Sequence, residues 1–306
     1  MNILNLVPTY FMNIDDLEWP GLFYDKEYKN KYNHFDVILI DPSTPVRKID
    51  MLHLPNLKLI ITASTGTNHI DKEACEKHNV EVLCLLDDRE GLSEIKASSE
   101  FTFFLILAAL RRIHRISYTI YARKWMRNEE ALRGNELYGK DVGIIGLGRI
   151  GQNIYKWVTD FGANVVAIYD PPKGSPNTLE EVFQKSDIVV ISCALTEQTY
   201  GLIDENLVQS MKNGACIINT SRGEVVREKE LVNALNARPD IMYVTDVLKG
   251  EVEKNHYNSK LFDLPNCIIT PHMAGLTFES NEKAFRIANK LLWRWYGNKA
   301  EDLEEK

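Results

Sequence analysis

The sequence predicts an α/β protein of two domains, each a doubly wound parallel sheet, and three observations carry that prediction. From Val142 onward short β-branched runs recur near 142–145, 165–169, 188–192, 215–219, 241–245 and 266–270, with helix-like segments between them. Runs such as Ile188-Val-Val-Ile191 are apolar without alternation, as suits strands covered by helices on both faces. The first part of the chain repeats the pattern more weakly, at Val37–Ile40, Leu57–Ile61 and Val80–Cys84, with a helix-like stretch from Ile70 to His78. At 306 residues the chain is long enough for two such cores.

The six strands of the second part fit two mononucleotide-binding halves. Ala97 to Ile113 is apolar nearly all round, charged only at Glu100, Arg111 and Arg112, and is expected to be a buried helix opening that domain. No strand is predicted after His272, and Glu279 to Tyr296 has the pattern of an amphipathic helix returning to the first domain. The expected division is 1–96 plus 277–306 for the smaller domain and 97–276 for the larger, with a cleft between them. There is no internal repeat and no low-complexity linker, and the acidic tail after Ala300 is expected to fray.

Composition narrows the class of partner. A net charge of −7 argues against nucleic acid or an anionic membrane surface and favours a small-molecule ligand. Cys75, Cys84, Cys193, Cys216 and Cys267 are odd in number and lie mostly in apolar runs, which fits reduced thiols in a cytoplasmic protein. The start MNILNLVPTYF lacks the basic region of a signal peptide, and Phe101 to Leu110, the longest apolar stretch, is too short to span a bilayer. Cys75 and His78 sit three apart on a helix, but two ligands without partners do not make a zinc site, so no metal is expected.

The segment Val142-Gly-Ile-Ile-Gly146-Leu-Gly148-Arg-Ile-Gly151 has a strand before it and a helical pattern after it. In that context Gly146 permits the tight turn, Gly148 lets a pyrophosphate approach the backbone, and Gly151 lets the helix pack on the strand. The phosphates would sit on free N–H groups at the helix N-terminus. Asp170 lies 19 residues past Gly151, at the end of the run Asn164–Tyr169, where a carboxylate bonds the ribose hydroxyls and repels a 2′-phosphate. Pro171 and Pro172 follow it instead of Arg, so NAD is favoured over NADP, and the second domain is expected to be Rossmann-like.

Three polar sites then stand at predicted strand ends on one carboxyl edge, the edge where open α/β sheets bind ligands. They are Asn219-Thr-Ser-Arg222-Gly223, Asp246-Val-Leu-Lys-Gly-Glu251 and Thr270-Pro271-His272. Converging beside a nicotinamide they would form a hydride-transfer site. Arg222 would hold a carboxylate and its adjacent carbonyl, His272 would exchange the hydroxyl proton, and Glu251 would orient His272. Each has a plainer reading: Arg222 as a turn residue, His272 as a strand-end cap, Glu251 as one solvated charge among Lys249, Glu253 and Lys254. His256, in the same stretch, is expected to be solvent-exposed. No GxSxG elbow supports hydrolase chemistry.

These pieces, together with Ser64-Thr-Gly-Thr-Asn-His-Ile-Asp71 and Ala97-Ser-Ser-Glu100, resemble the D-isomer-specific 2-hydroxyacid dehydrogenase family, which includes phosphoglycerate, glycerate, D-lactate and glyoxylate/hydroxypyruvate-type reductases. The resemblance covers nearly the whole chain and implies an NAD-dependent D-2-hydroxyacid dehydrogenase whose first domain is Rossmann-like or flavodoxin-like. It implies that Ser64, Thr65 and Gly66 bind the substrate carboxylate and that Asp246 lies near the carboxamide end of the cofactor. Arg149, Ile150, Cys193 and Thr220 join the cofactor-binding candidates on the same ground. A homodimer is implied, with the Ala97–Ile113 helix and the Trp125 region at the contact. The alternative is an NAD-sensing, corepressor-like regulator of the same fold. A formate dehydrogenase is disfavoured, because that branch carries Gln where Glu251 stands.

Departures from the family pattern bear on substrate. Leu85 to Lys96 replaces a shorter Pro-Gly-containing loop and is expected to line the mouth of the cleft. Asp41-Pro-Ser-Thr44 stands where phosphoglycerate-type members carry arginines, which disfavours a phosphorylated substrate unless Arg47, Lys48, Arg89 or Lys96 compensates. Ala194 stands where Pro is common. The sequence ends soon after the return helix, so the C-terminal regulatory domain of longer phosphoglycerate dehydrogenases is expected to be absent.

Overall fold

The computed structural model describes residues 2–7, 22–24, 35–116, 132–251 and 258–304, without the side chains of 22–24 and 298–304. Trp125 and His256 lie outside the described residues. The chain divides into two compact units, one of Met1–Ile95 with Leu276–Lys306 and one of Lys96–Gly275.

The first unit is built on a five-stranded parallel sheet: β1 (Ile3–Asn5), β2 (Leu22–Tyr24), β3 (Val37–Ile40), β4 (Leu59–Thr62) and β5 (Glu81–Cys84), in the order β2-β1-β3-β4-β5. β1 and β2 are additions to the strands expected from sequence, since three residues are too few to show a period. Side chains alternate between two apolar layers, as strand geometry requires. Leu4, Ile38, Ile40 and Ile60 pack with Met51 of α1 (Lys48–Met51) and with Ala74 and Cys75 of α2 (Lys72–Lys77). Ile3, Val37, Leu39, Leu59 and Ile61 pack on the other face with Ile287, Leu291 and Trp295 of the return helix Phe278–Glu304. That helix runs into the acidic stretch expected to fray, because Ala300, Glu301, Leu303 and Glu304 are good helix formers.

The stretch Leu85–Lys96 is no open loop. A 3₁₀ turn at Leu85–Asp87 leads into α3 (Arg89–Ser93), and Leu85, Leu92 and Ile95 are buried in the layer beneath the return helix. Polar contacts bind it along the same helix. Lys290 Nζ lies 2.9 and 3.0 Å from the two Asp88 carboxylate oxygens, Lys283 donates to Glu94 O at 3.1 Å and Arg294 to Asp87 O at 3.2 Å.

The second unit carries a six-stranded parallel sheet of β6 (Asp141–Ile145), β7 (Asn164–Tyr169), β8 (Ile188–Ile191), β9 (Cys216–Asn219), β10 (Met242–Thr245) and β11 (Cys267–Ile269). All six lie where the β-branched runs predict them. Their order is β7-β6-β8-β9-β10-β11, a doubly wound parallel sheet as expected, with two strands on one side of the reversal and four on the other. Between β7 and β8 the chain has only a Pro-rich turn and one short helix (Leu179–Lys185), so β8 pairs directly with β6 and the order reverses there. The point of reversal, beside the carboxyl end of β6, is where such sheets bind ligands.

The opening helix of this unit, α4 (Ala97–Leu110), packs Leu105, Ile106 and Ala109 against Val142, Ile144, Ile154 and Val158. It is not buried all round as expected: Phe104 is 51 % exposed, because only one face meets the sheet.

The Asp88–Lys290 contact gives a pH-dependent prediction. Lys290 holds the Asp88 carboxyl below its ordinary range. Its contribution is therefore present above the unfolded carboxylate pKa of about 3.9 and is lost as pH falls through the lower folded value. Asp88→Asn is expected to cost about 1.5–3 kcal/mol near neutral pH by chemical denaturation, a deficit that shrinks towards zero in acid.

Candidate active site

The glycine loop follows β6 and opens helix α5 (Arg149–Asp160), with Gly148 at its N-cap. Gly146 has φ +87°, and a Cβ there would come within 2.5 Å of the Cys193 backbone. A Cβ on Gly151 would lie 2.1 Å from Gly146 O. Those two glycines are demanded by packing. Gly148 differs, since it is exposed and a Cβ would meet nothing within 4 Å. Its missing side chain leaves open space beside the N-terminus of α5, which is the shape an anionic pyrophosphate needs.

Asp170 stands half-buried at the end of β7, and its Oδ2 accepts the Leu147 N–H at 2.6 Å. The second carboxylate oxygen could accept from ribose hydroxyls. Its own N–H donates to Ser175 Oγ at 2.7 Å, and Lys173 donates to Leu147 O, a contact that sequence reasoning did not foresee. These residues fit a dinucleotide.

Cys193 and Thr220, two of the cofactor candidates, also make packing and hydrogen-bond contacts within the unit. Cys193 packs behind Gly146, and burial pushes its thiol up to about 11. Thr220 is 8 % exposed, with Oγ1 2.6 Å from Thr102 Oγ1. Because Thr102 spends its proton on Ser98 O at 2.7 Å, Thr220 must donate to Thr102. Its hydroxyl is therefore committed to α4.

Arg222 follows β9 in a turn held by Asn219, whose Oδ1 accepts the Ser221 N–H at 3.0 Å and whose Nδ2 donates to Arg222 O at 3.1 Å. The guanidinium donates to Ser221 O at 2.6 Å. Burial lowers its pKa from the ordinary value, opposed by the nearby carboxylates of Glu251 and Glu224, and a guanidinium stays charged regardless. Gly223 is what lets the Glu251 loop come close: a Cβ there would sit 2.2 Å from Leu248 C and Lys249 N.

Glu251 accepts the Leu248 N–H with Oε1 and lies 2.5 Å from His272 Nδ1 with Oε2. A carboxylate accepts, so Nδ1 carries the proton. Nε2 makes no hydrogen bond among the described residues, and the His272 side chain is 48 % exposed. His272 itself has φ +51°, the left-handed region that a residue with a Cβ avoids.

Asp246 explains that backbone. It is fully buried, with Oδ1 accepting from Thr270 Oγ1 at 2.5 Å and Met273 N at 2.9 Å and Oδ2 from Ala274 N at 2.8 Å. Its carbonyl accepts the His272 N–H at 2.9 Å. The carboxylate expected near the cofactor's carboxamide is thus occupied in building the turn that presents His272. Two polar strand ends, Asp246 and Thr270, were the signal available for this in the sequence.

In the first unit, Ser64, Thr65 and Gly66 follow β4 and are partly exposed. Ser64 Oγ donates to Gly66 O at 2.7 Å, and among the described residues no hydrogen bond uses the N–H of Thr65 or Gly66. Elsewhere, Cys75 is buried and His78 Nδ1 donates to Ala74 O at 2.9 Å. No group of three His, Cys, Asp or Glu among the described residues could hold a metal, and no described helix is long and apolar enough to cross a membrane.

Comparison with known proteins agrees with this geometry. The family profile of the D-isomer specific 2-hydroxyacid dehydrogenase NAD binding domain matches residues 103–274, and that of the catalytic domain matches residues 14–86. A hydroxypyruvate reductase of Thermotoga maritima is 30 % identical over 279 residues, 89 % of each chain. A D-3-phosphoglycerate dehydrogenase of Bacillus subtilis is 32 % identical over 82 % of this chain, which spans only 48 % of that enzyme. The crystal structure of D-lactate dehydrogenase from Aquifex aeolicus, complexed with NAD and lactic acid, superposes with a TM-score of 0.77 at 26 % identity, covering 100 % of this chain and 98 % of that one. With both profiles matching in chain order, the chain belongs to the D-isomer specific 2-hydroxyacid dehydrogenases, a family of NAD-dependent oxidoreductases.

Proposed function

We propose that the chain interconverts an unphosphorylated D-2-hydroxy acid and its 2-keto acid, with Arg222, Glu251 and His272 as the catalytic residues. The observation that carries this reading is the His272–Glu251 pair, 2.5 Å apart at Nδ1 with Nε2 left over, and a half-buried Arg222 close enough to feel the Glu251 charge. Bound NAD(H) supplies or accepts the hydride. Arg222 binds the substrate carboxylate and the adjacent carbonyl oxygen, where its planar fork matches two acceptors. Glu251 fixes the imidazole with one proton on Nδ1, so the proton exchanged with substrate is the one carried at Nε2, and in the reducing direction protonated His272 donates it to the carbonyl oxygen. In the oxidising direction neutral Nε2 accepts the hydroxyl proton. Ser64, Thr65 and Gly66 offer the substrate carboxylate their backbone N–H groups.

The substrate assignment rests on charge. Asp41 stands in an exposed turn where its Oδ1 accepts from Ser43 N at 2.9 Å and Ser43 Oγ at 2.6 Å, a carboxylate where a phosphate would need cations. Relatives named hydroxypyruvate reductase and glyoxylate reductase support small, unphosphorylated keto acids. We place the protein in the cytoplasm as a homodimer. Its five free cysteines support the first, and the exposure of Phe104 and Phe161 on the cofactor-binding unit supports the second.

NADH oxidation against glyoxylate, hydroxypyruvate, pyruvate and phosphohydroxypyruvate tests the assignment. Turnover is expected with the first three above the fourth, and NADPH should serve less well than NADH because of Asp170. No turnover with any keto acid alongside tight NADH binding would overturn the proposal. His272→Ala is expected to lower kcat about 10²–10⁴-fold with the Kd for NADH unchanged. Asp246→Asn, which turns an amide N–H₂ towards backbone donors, should lower kcat roughly 10–100-fold through the displaced imidazole, again with NADH bound.

A further inference from the structure

We infer that His69, which the mechanism above does not use, is a positioning residue that sets the Ser64–Gly66 loop through a one-way chain of hydrogen bonds. This rests on reading that loop as the carboxylate cradle. Thr62 ends β4 and is fully buried, and His69 is 4 % exposed. Thr62 Oγ1 lies 2.9 Å from Ser64 Oγ and 3.1 Å from His69 Nε2, while Ser64 Oγ lies 2.7 Å from Gly66 O.

Counting protons fixes the direction. A carbonyl oxygen only accepts, so Ser64 spends its single proton on Gly66 O. Ser64 must then accept from Thr62, which spends the Thr62 proton. Thr62 can only accept at its other contact, so His69 Nε2 is the donor. The chain runs His69 Nε2–H to Thr62 to Ser64 to the Gly66 carbonyl, from a buried end to a half-buried one, each bond polarising the next.

The consequence lies in the last link. A carbonyl dipole facing a substrate carboxylate would repel it. Drawn onto Ser64, the Gly66 carbonyl is committed, and the backbone N–H groups of Ser64, Thr65 and Gly66 remain as the donors the loop offers. Ser64 thus contributes by holding Gly66, not by donating its hydroxyl to substrate. Two further bonds, Leu85 N to Ser64 O and Ile70 N to Thr67 O, both 3.0 Å, fix the ends of the loop.

The test uses the full chain with NADH and its best 2-keto acid. His69→Leu and Thr62→Val cut different links, and each should raise the keto-acid KM about tenfold with kcat and the Kd for NADH within about twofold of the parent. His69→Gln, which keeps an N–H near the Nε2 position, should restore most of that loss. Proton–nitrogen NMR correlation on the unaltered protein should show His69 protonated at Nε2, which decides the matter even if a variant fails to fold. A ring whose only proton is on Nδ1, or an unchanged KM in both His69→Leu and Thr62→Val, overturns the role of His69. Thr65→Pro deletes an amide of the cradle itself. If it raises KM while the other two do not, the cradle stands and the chain falls; if it too leaves KM unchanged, the cradle reading falls with it.

Discussion

Much of the catalytic unit follows from one buried charge. Removing an ion from water costs several kcal/mol unless its lone pairs are satisfied, and the Asp246 carboxylate meets that demand with the Thr270 hydroxyl and the Met273 and Ala274 amides. All three lie on the stretch leaving β11, so satisfying the charge dictates the path of the turn. That path forces His272 to φ +51°, a strain of roughly 1–2 kcal/mol that the three bonds offset. The imidazole is then delivered to Glu251, whose own loop comes close because residue 223 has no side chain and Leu248 caps the carboxylate. The strained backbone and the buried acid are two halves of one device.

The cofactor end of the sheet uses the same economy. Packing against Cys193 and against the loop's own carbonyl requires Gly146 and Gly151, whereas Gly148 is free of the protein and marks space left for a ligand. Asp170 is fixed by the Leu147 N–H. The apolar layers below these strand ends, with Ile144, Val190, Ile218 and Val244 on one face and Ile145, Val189, Ile191 and Ile217 on the other, supply the rigidity that such placement needs.

The sequence carried some of this plainly. The six strands of the cofactor-binding unit were legible because fully covered parallel strands read as unbroken β-branched runs, and Arg222, Glu251 and His272 stood out as polar groups where such runs stop. Strand order was not legible: nothing in the strands themselves says that the run from Ile188 pairs with β6 and not with β7. Nor were side-chain directions. Thr220 and Asp246 stand at the expected edge, but their bonds to Thr102 and to Thr270, partners 118 and 24 residues away, could not be read from the chain. The return helix likewise hid what Leu85–Lys96 does, since its buried positions Leu85, Leu92 and Ile95 meet residues about 200 positions later.

If Arg222, Glu251 and His272 carry out proton-coupled hydride transfer, the label must follow one route. The most direct measurement is to supply NADH deuterated at the transferring position of nicotinamide C4 with the best keto acid, and to locate the deuterium by mass spectrometry and NMR. A D-2-hydroxy acid carrying the label at C2 is the expected result. Unlabelled product, product of the opposite configuration, or no hydroxy acid at all would contradict the account.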